Sequence, residues 1–254
     1  MAGVIGVREL SVTLPGGREL LRVPSLEVVP GETVFLSGES GSGKSTVLNI
    51  LSGTVVSAEE SSRRKTDDAA SSSSSRASRA AAQAVLTWNG SITVAGRVLG
   101  RDPIAQYRSA LFRLAQNPQL EEGEVEETFL STRRYRVHRS NQDRFSDARI
   151  NAVLEALGLP PSIRQQPVRT ISGGEAARVA IARMILLDRP VLLLDEPTAA
   201  LDSARASTII EVIRSFVASD TTIVVASHDH ALRKGAHRVY EITDRVVEPA
   251  VSRE

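Results

Sequence analysis

The stretch Gly38-Glu39-Ser40-Gly41-Ser42-Gly43-Lys44-Ser45-Thr46 decides the fold class of this chain. It has the spacing of a phosphate-binding loop, in which glycines let backbone N–H groups converge on phosphate at the start of a helix. Residues 33–37 before it, of which Val34, Phe35 and Leu36 are apolar, predict a short buried strand. The apolar residues from Val47 to Leu51 after it predict one face of a helix. Strand, glycine loop and helix are the context that the motif requires. A glycine-rich turn that merely precedes a helix is the plain alternative, and this context disfavours it.

Two side chains of the loop carry its predicted chemistry. Lys44 is expected to contact the outer phosphates of a nucleoside triphosphate, and the Ser45 hydroxyl is expected to ligate Mg²⁺. The chain has three lysines among its 31 basic residues, and one of them is Lys44. That position needs a flexible point charge, which the rigid fork of arginine supplies less well. By itself the loop leaves GTPases, kinases and many ATPases open.

Composition narrows the class of protein further. The 254 residues suffice for one α/β domain with a substantial core. The 31 basic and 30 acidic residues nearly cancel, so no nucleic-acid partner is expected. The absence of cysteine excludes disulfides, thiolate metal sites and cysteine nucleophiles. No apolar run approaches the roughly 20 residues that span a bilayer, and residues 1–10 are too short for a signal sequence. Any membrane work is therefore expected to need a partner.

The first half of the chain reads as strands around an insertion. Residues 4–29 alternate apolar and polar positions and turn at Pro15-Gly16-Gly17, which predicts antiparallel strands. Residues 88–94 return to this pattern, whereas residues 107–114 fit a helix and a strand edge equally well. Residues 57–83 are rich in serine, alanine and mixed charge, so we expect a disordered insertion there.

The second half predicts helices and a parallel sheet. Residues 150–157, and a segment that opens at Gly173-Gly174, space their apolar side chains as helical faces. Residues 191–194 and 222–226 predict two buried strands, with a helix over residues 203–216 between them. A strand, a helix and a strand in this order predict a parallel sheet.

Four polar side chains are candidates for catalysis, and three of them lie at predicted strand ends. Asp195 ends the strand 191–194 and is expected to hold Mg²⁺ through a water, while Glu196 is expected to face an attacking water. A solvated strand terminus is the plain alternative, which the upstream phosphate loop disfavours. His228 follows the other core strand on the same predicted edge, where an imidazole can reach the γ-phosphate. Gln116, otherwise an ordinary loop glutamine, can bridge Mg²⁺ and the attacking water.

The order of these motifs resembles that of the nucleotide-binding subunits of ATP-binding-cassette (ABC) transporters over about residues 4–245. The matching motifs are the phosphate loop 38–46, a glutamine loop at Gln116, a signature Ile171-Ser172-Gly173-Gly174-Glu175, the magnesium strand 191–196, the segment Ala200-Leu201-Asp202 and a switch histidine at His228. Six motifs in family order are far more specific than any one of them. The resemblance implies an α/β P-loop NTPase of ABC type, with a RecA-like parallel-sheet core, an N-terminal antiparallel β lobe and a helical signature subdomain.

The resemblance also implies a head-to-tail dimer, expected to be a homodimer, with two ATP molecules between the subunits. In such a dimer Ser172, Gly173 and Gly174 cap the γ-phosphate of the ATP that the opposite subunit holds in its phosphate loop. A small hydroxyl and bare N–H groups at a helix start suit that second anion site. Asp202 would lie at the dimer seam and couple the two sites.

Within each site the resemblance implies ATP and Mg²⁺ as cofactors. Residues 38–46 and Gln116 would contact the nucleotide, and Ser45, Gln116 and Asp195 would lie at the metal. Glu196 would be the general base, and His228 would sense or stabilise the γ-phosphate. The segment at Gln116 would face an integral membrane permease and transmit its state.

Three departures from the family pattern are expected to matter. The signature ends in Glu175 where glutamine is usual, and this charge weakens dimer closure if it points toward phosphate. The family stacks adenine on an aromatic residue before the phosphate loop, whereas residues 11–15 offer none. Adenine is then expected to pack on an aliphatic side chain such as Leu14, which leaves base selectivity open. The insertion 57–83 is expected to bulge from the edge of the antiparallel lobe.

Three functions are compatible with these motifs. The leading one is the ATPase of a transporter whose permease is a separate chain. Such an ATPase would be peripheral on the cytoplasmic face of a membrane. The chain is similar to the ATPases of small two-component exporters, including the iron-export and metal-stress type. The second is a soluble ABC ATPase that acts as an assembly or mechanical factor. Residues 57–83 lack the heptads of repair members, and a single cassette disfavours the translation type. The third, an ATP-binding regulator without turnover, is disfavoured because every catalytic position is filled.

We expect one ABC ATPase domain over residues 1–254. Its antiparallel β lobe and part of its core would occupy residues 1–116, with the insertion 57–83 inside them. The helical subdomain would occupy residues 117–172, and the core would resume over residues 173–245.

Overall fold

Among the residues that the computed structural model describes, 3–55, 86–133, 145–199 and 203–250, ten strands form one mixed sheet. The strands are β1 (Ile5–Thr13), β2 (Glu19–Val28), β3 (Thr33–Gly38), β4 (Thr87–Val94), β5 (Arg97–Val98), β6 (Leu111–Leu114), β7 (Val191–Asp195), β8 (Thr222–Ala226), β9 (Arg238–Thr243) and β10 (Val246–Pro249). The α-helices are α1 (Lys44–Leu51), α2 (Ile104–Ser109), α3 (Val125–Arg133), α4 (Asp147–Ala156), α5 (Gly173–Leu187), α6 (Ser203–Phe216) and α7 (His230–Lys234). The predicted insertion 57–83 lies outside the described residues.

One end of the sheet is an antiparallel lobe, as predicted. The strand β1 pairs with both β2 and β4, so that Ile5 lies opposite Val28 on one side and Val94 on the other. The turn between β1 and β2 contains Pro15-Gly16-Gly17. The strand β2 also pairs in parallel with β10, at Val246 and Arg22. The lobe and the rest of the sheet are therefore continuous.

The other end of the sheet is a parallel core with the order β9-β3-β8-β7-β6. The predicted parallel pairing of the strands around residues 191–194 and 222–226 is confirmed. Alternate residues of β7 enter different cores: Val191 and Leu193 belong to one hydrophobic cluster, Leu192 and Leu194 to the other. Burial on both faces is typical of parallel strands. Because these strands run in one direction, their carboxyl ends share one edge of the sheet.

The segment 107–114, which fitted a helix and a strand edge equally well, contains both. The helix α2 ends at Ser109, and the edge strand β6 begins at Leu111 and pairs with β7. Tyr107 is fully buried, and its hydroxyl donates a hydrogen bond of 2.7 Å to the Leu51 carbonyl. Burial raises the pKa of this phenol. The side chain therefore attaches α2 to the end of α1.

A helical lobe packs on the second hydrophobic cluster. Its described parts are α3, α4 and two 3-10 helices, Pro161–Gln165 and Val168–Thr170. The predicted helix over residues 150–157 is confirmed but begins earlier, at Asp147, because the Ser146 side chain caps it by accepting from the Arg149 N–H. Phe129 and Ile163 are buried there beside side chains of α5. The helix that follows the signature residues is thus held between this lobe and the core.

Candidate nucleotide-binding site

The loop between β3 and α1 has a backbone that requires glycine. Gly38 has φ 153° and Gly43 has φ 111°, both in the region that favours glycine. A Cβ at Gly38 would lie 2.6 Å from the Ser42 Oγ and 3.1 Å from the Ile242 carbonyl oxygen. Gly43 is the residue before α1, so the loop delivers the chain into the helix. The backbone N–H groups at the N-terminus of this helix form an anion-binding site.

Lys44 is the first residue of α1, and its side chain folds back over the loop. Its Nζ donates hydrogen bonds of 2.8 Å and 3.0 Å to the carbonyl oxygens of Gly38 and Glu39. The same Nζ lies 3.3 Å from the His228 Nε2. Lys44 is 7% exposed. Its ammonium is therefore buried beside the loop, where the two carbonyl oxygens hold it. The structure thereby brings together Lys44 and His228, which are 184 residues apart in the chain.

Asp195 lies at the carboxyl end of β7 and is 3% exposed. The Ser45 hydroxyl donates a hydrogen bond of 2.9 Å to its Oδ1. Arg113, on the neighbouring strand β6, donates one of 3.0 Å to its Oδ2. The predicted pair of Ser45 and Asp195 is therefore in contact. Arg113 was missed by sequence reasoning, because nothing in the sequence shows that it lies beside Asp195.

Glu196 takes a strained turn directly after β7. Its φ is 46°, and its N–H donates to the Ala226 carbonyl at 2.8 Å. The Ser227 hydroxyl donates a hydrogen bond of 2.9 Å to the Glu196 Oε2, while the His228 Nε2 is 3.7 Å from the Oε1. The three polar side chains at this edge of the sheet thus face one another. Ser227, 3% exposed, is a further residue that the sequence analysis did not single out.

Gln116 is exposed and follows β6 by two residues. It lines a small cavity that also involves Glu196 and Pro197, and whose other lining residues are Leu114, Ala115, Pro118 and Ala177. The structure therefore brings Gln116 and Glu196 to one cavity.

A cleft of about 770 Å³ opens over the glycine loop. It is lined by residues of the loop and of three other segments: Leu14, Arg18, Leu20, Ser37, Gly38, Glu39, Ser40, Gly41, Ser42, His228, Glu241, Ile242, Thr243, Asp244 and Arg245. Leu14, the aliphatic side chain expected beside a nucleobase, is among them. The turn between β9 and β10 was not expected, since it reaches the loop only through the order of strands in the sheet.

The signature residues lie at the start of α5. Ser172 caps this helix, and its Oγ accepts from the Glu175 N–H at 3.3 Å. Glu175 accepts in return from the N–H and the hydroxyl of Ser172, at 2.8 Å and 2.7 Å. The hydrogen bonds from the Ser172 side chain and backbone lower the pKa of Glu175. Its carboxylate therefore turns back onto its own helix start.

The glycine loop lines the cleft, whereas the signature residues lie outside it. Ser172 and Gly173 are exposed and Gly174 is half-buried. None of the described residues that line the cleft belongs to 171–175. Asp202 lies outside the described residues, so the structure says nothing of its predicted place at a dimer seam.

Among the described residues, no group of three or more His, Cys, Asp or Glu side chains that could hold a metal ion occurs. In the same part of the chain, every helix is too short or too polar to cross a membrane.

The mixed sheet and the glycine loop between β3 and α1 identify an α/β fold of the P-loop nucleoside-triphosphatase class. The chain belongs to the ABC transporter family, whose family model matches residues 21–199. It is therefore an ATP-binding domain of the ABC type.

Two relatives show what this chain is similar to. It is 32% identical over 257 residues to the macrolide export ATP-binding/permease protein MacB 1/2 of Paracoccus denitrificans, covering 96% of this chain and 32% of that protein. It is 29% identical over 231 residues to the ATP-binding protein HrtA of Staphylococcus haemolyticus, named for hemin import, covering 91% of both. The chain spans about a third of the length of the first macrolide exporters that it matches. The finer resemblance to iron and metal-stress exporters is not confirmed by these relatives.

A solved structure confirms the fold. The ATP-binding cassette MJ0796, determined as a dimer in a post-hydrolysis state with ADP and Pi, superposes with a TM-score of 0.71. The two share 22% identity, and the match covers 98% of this chain and 99% of that one.

Proposed function

We propose that the chain binds and hydrolyses ATP and that this hydrolysis powers transport through a membrane permease. The observation that carries the proposal is the cluster at the carboxyl edge of the sheet. There the Ser45–Asp195 pair and Glu196 with Ser227 and His228 lie around the end of the glycine loop. A phosphate site, a metal-binding carboxylate and a second carboxylate beside it are the parts that nucleotide hydrolysis requires.

Residues 38–46 would hold the phosphates of ATP. Their backbone N–H groups and the start of α1 favour negative charge. Lys44 is held over the loop by carbonyl oxygens, and its ammonium has three hydrogens that it can redirect to phosphate oxygens. Leu14 and Leu20 supply apolar surface in the same cleft, where the base would pack.

Mg²⁺ fits the donor set at the end of the loop, with Ser45, Asp195 and Gln116 as the residues that would hold it. Ser45 donates its one hydroxyl hydrogen to Asp195, which leaves its oxygen lone pairs available to a cation. Mg²⁺ is commonly held by one or two carboxylates together with substrate phosphates. When bound, the ion would neutralise charge that develops on the phosphates.

Glu196 would act as the general base toward water, and His228 would contact the γ-phosphate. Supporting this assignment, the Ser227 hydroxyl orients one oxygen of Glu196, and the other lies 3.7 Å from the imidazole. Gln116 lines the cavity beside Glu196, where it would orient the water. General base catalysis requires a base that is held in position, and Ser227 holds Glu196 in this way.

We propose further that two copies of the chain close head to tail on ATP. Ser172, Gly173 and Gly174 would then cap the γ-phosphate held by the partner copy, and Asp202 would lie at the seam. The signature residues start a helix and lie outside the cleft of their own chain, which favours a role in the other copy. The dimer of MJ0796 is a precedent in the same fold.

The permease would be an integral membrane protein on a separate chain, with this protein peripheral on the cytoplasmic face. The name of MacB combines ATP binding with a permease, whereas HrtA, of comparable length, is named as an ATP-binding protein. We also propose a division into an antiparallel lobe, a core and a helical subdomain. The antiparallel lobe packs with one face of the core strands and the helical lobe with the other face, which supports this division.

The variant Glu196→Gln tests the proposed hydrolysis. It keeps the size of the side chain and removes the base, so we expect ATP binding to remain, turnover to fall by about 100-fold or more, and an ATP-bound dimer to accumulate. Steady-state phosphate release and size-exclusion chromatography with ATP measure these effects. Glu155→Gln, on the exposed face of α4, is the matched control. Retained hydrolysis in Glu196→Gln would show that another group is the base.

A further inference from the structure

Arg113 places a guanidinium against the carboxylate that would hold the metal. It lies on β6 opposite Leu193 of β7, two residues before Asp195. Its Nη2 is 3.0 Å from the Asp195 Oδ2, and the two side chains are 20% and 4% exposed. The contact is therefore a largely buried ion pair between neighbouring strands.

The donors around Asp195 occupy both of its oxygens. Ser45 donates to Oδ1 and Arg113 donates to Oδ2, whereas the Lys44 ammonium is engaged with loop carbonyls. A buried carboxylate without a charged partner is costly, and removing one partner of such a pair is strongly destabilising. Arg113 therefore places a positive charge against the buried Asp195 carboxylate and holds that side chain in position.

The hydrogen bonds of the Arg113 guanidinium show what holds this side chain in place. Its Nε is buried and has no hydrogen-bond partner among the described residues. Among the same residues, its guanidinium donates a hydrogen bond to Asp195. Its position is thus determined by the carboxylate rather than by a wider network.

We propose that Arg113 is an internal counter-cation of Asp195, which holds the metal-binding carboxylate in place without metal and opposes the binding of Mg²⁺ there. This inference rests on the proposed function, because it takes Asp195 as a metal-holding residue. A fixed positive charge in contact with the carboxylate repels a divalent cation that approaches the same carboxylate, and partial burial limits screening of that repulsion. Arg113 is a positioning residue in this account, not a catalytic one.

The link also reaches the glutamine loop. Arg113 stands three residues before Gln116, and β6 ends between them. The ion pair therefore joins β7, which ends at Asp195, to β6, which ends two residues before Gln116. This contact sets the start of the segment that leads to Gln116 relative to Asp195.

The test measures how ATP binding depends on free Mg²⁺. The full chain carrying Glu196→Gln, which prevents turnover, is titrated with ATP at a series of Mg²⁺ concentrations by calorimetry. Adding Arg113→Met should lower the Mg²⁺ concentration for half-maximal enhancement of ATP binding by about threefold or more. Arg113→Lys keeps the charge and should stay closer to the parent. Arg101→Met, an exposed arginine beyond β5, is the matched control and should change nothing.

The possible outcomes separate the inference from the proposed function. An unchanged Mg²⁺ dependence in a folded Arg113→Met chain that binds ATP would overturn the inference and leave a structural ion pair. A parent chain that binds no ATP at any Mg²⁺ concentration would overturn the proposed function itself.

A thermal measurement covers the case in which Arg113→Met folds poorly. Without Mg²⁺ the melting temperature of Arg113→Met should lie well below that of the parent, because Asp195 is left buried and unpaired. Adding Asp195→Asn to Arg113→Met removes both charges together and should recover most of the loss. A double variant no more stable than Arg113→Met would contradict the role of Arg113 as counter-cation.

Discussion

At the scale of single residues, the orientation of Glu196 depends on a neighbour that performs no chemistry. Glu196 has a left-handed backbone, with φ 46°, so its side chain leaves β7 at an unusual angle. The hydroxyl of Ser227 donates to its Oε2 and accepts at 3.1 Å from the Asp229 N–H. One donated and one accepted hydrogen bond thus orient this hydroxyl. It therefore holds the Glu196 carboxylate at the position where a base is proposed.

Replacing Ser227 with alanine should lower turnover without weakening ATP binding. The loss of one hydrogen bond worth about 1 to 1.5 kcal/mol corresponds to roughly a tenfold decrease in kcat. Phosphate release at saturating ATP, together with KM for ATP, distinguishes misorientation of the base from loss of binding. Ser215→Ala removes an exposed serine that bonds only within its own helix turn, and should behave as wild type. A raised KM with unchanged kcat would assign Ser227 to nucleotide binding instead.

Residues that belong to a local motif could be predicted from the sequence, and residues that depend on strand order could not. Lys44, Ser45 and the strand end at Asp195 were identified because each lies in a contiguous pattern. Arg113 reaches Asp195 only because β6 pairs with β7 in one register. A single sequence does not contain that register. The charge of Glu175 is expected to weaken dimer closure if it points toward phosphate, whereas a capping box directs it to Ser172.

At the scale of elements, strong periodicity and caps decided which predictions were accurate. The helix predicted over residues 203–216 has those bounds in the structure, and the strand predicted over 222–226 does as well. The segment 107–114 stayed ambiguous because a six-residue helix and a four-residue strand follow each other within it. Neither element is long enough to show a period. The pairing of the strand β6 with β7 and the burial of Tyr107 on the helix α2 distinguish them.

The helical lobe is held together by a charged cluster around Arg164. This guanidinium bonds Glu126 of α3, with Nη2 to Oε1 at 2.7 Å, and Asn151 of α4 at 2.9 Å. Asp147, at the start of α4, accepts a further bond of 2.5 Å. The hydrogen bond to Glu126 is the largest cause that raises the pKa of Arg164. One side chain therefore joins three elements that the sequence did not show to be neighbours.

Arg164→Met should destabilise this lobe. The side chain is 15% exposed, so its loss leaves Glu126 partly buried without its partner, and we expect a decrease of about 1 to 3 kcal/mol in the free energy of unfolding. Urea denaturation followed by circular dichroism measures it. Arg169→Met, an exposed arginine of the same lobe, is the control. Equal stability of the two variants would mean that apolar packing alone holds the lobe.

At the scale of the whole molecule, one sheet serves two hydrophobic clusters. One cluster contains the antiparallel lobe and α1, and the other contains the helical lobe and α5. The helix after the glycine loop therefore packs in the first cluster, and the helix after the signature packs in the second. Because α5 contacts the core strands on one face and the lobe on the other, movement of the signature relative to the loop requires repacking of the second cluster. This arrangement suits a site that two chains complete together.

Mixing two inactive variants tests whether the site is composite. Lys44→Ala removes the phosphate-binding ammonium, and Gly173→Asp places a negative charge where a partner's γ-phosphate is proposed to lie. A Cβ at Gly173 meets no atom within 4 Å, so the second chain should fold normally. A head-to-tail pair of the two variants has one site with an intact Lys44 and an intact Gly173. Random pairing should then restore about a quarter of wild-type ATP turnover, measured as phosphate release.

The control for this experiment uses the same positions. Mixing Lys44→Ala with a chain that carries both substitutions provides no site with an ammonium, so turnover should stay at background. Recovery in the first mixture and none in the second would place the loop and the signature of different chains in one ATP site. Equal background turnover in both mixtures would mean that each chain completes its own site. In that case the exposed start of α5 must reach the cleft of its own chain, which it does not line in this structure.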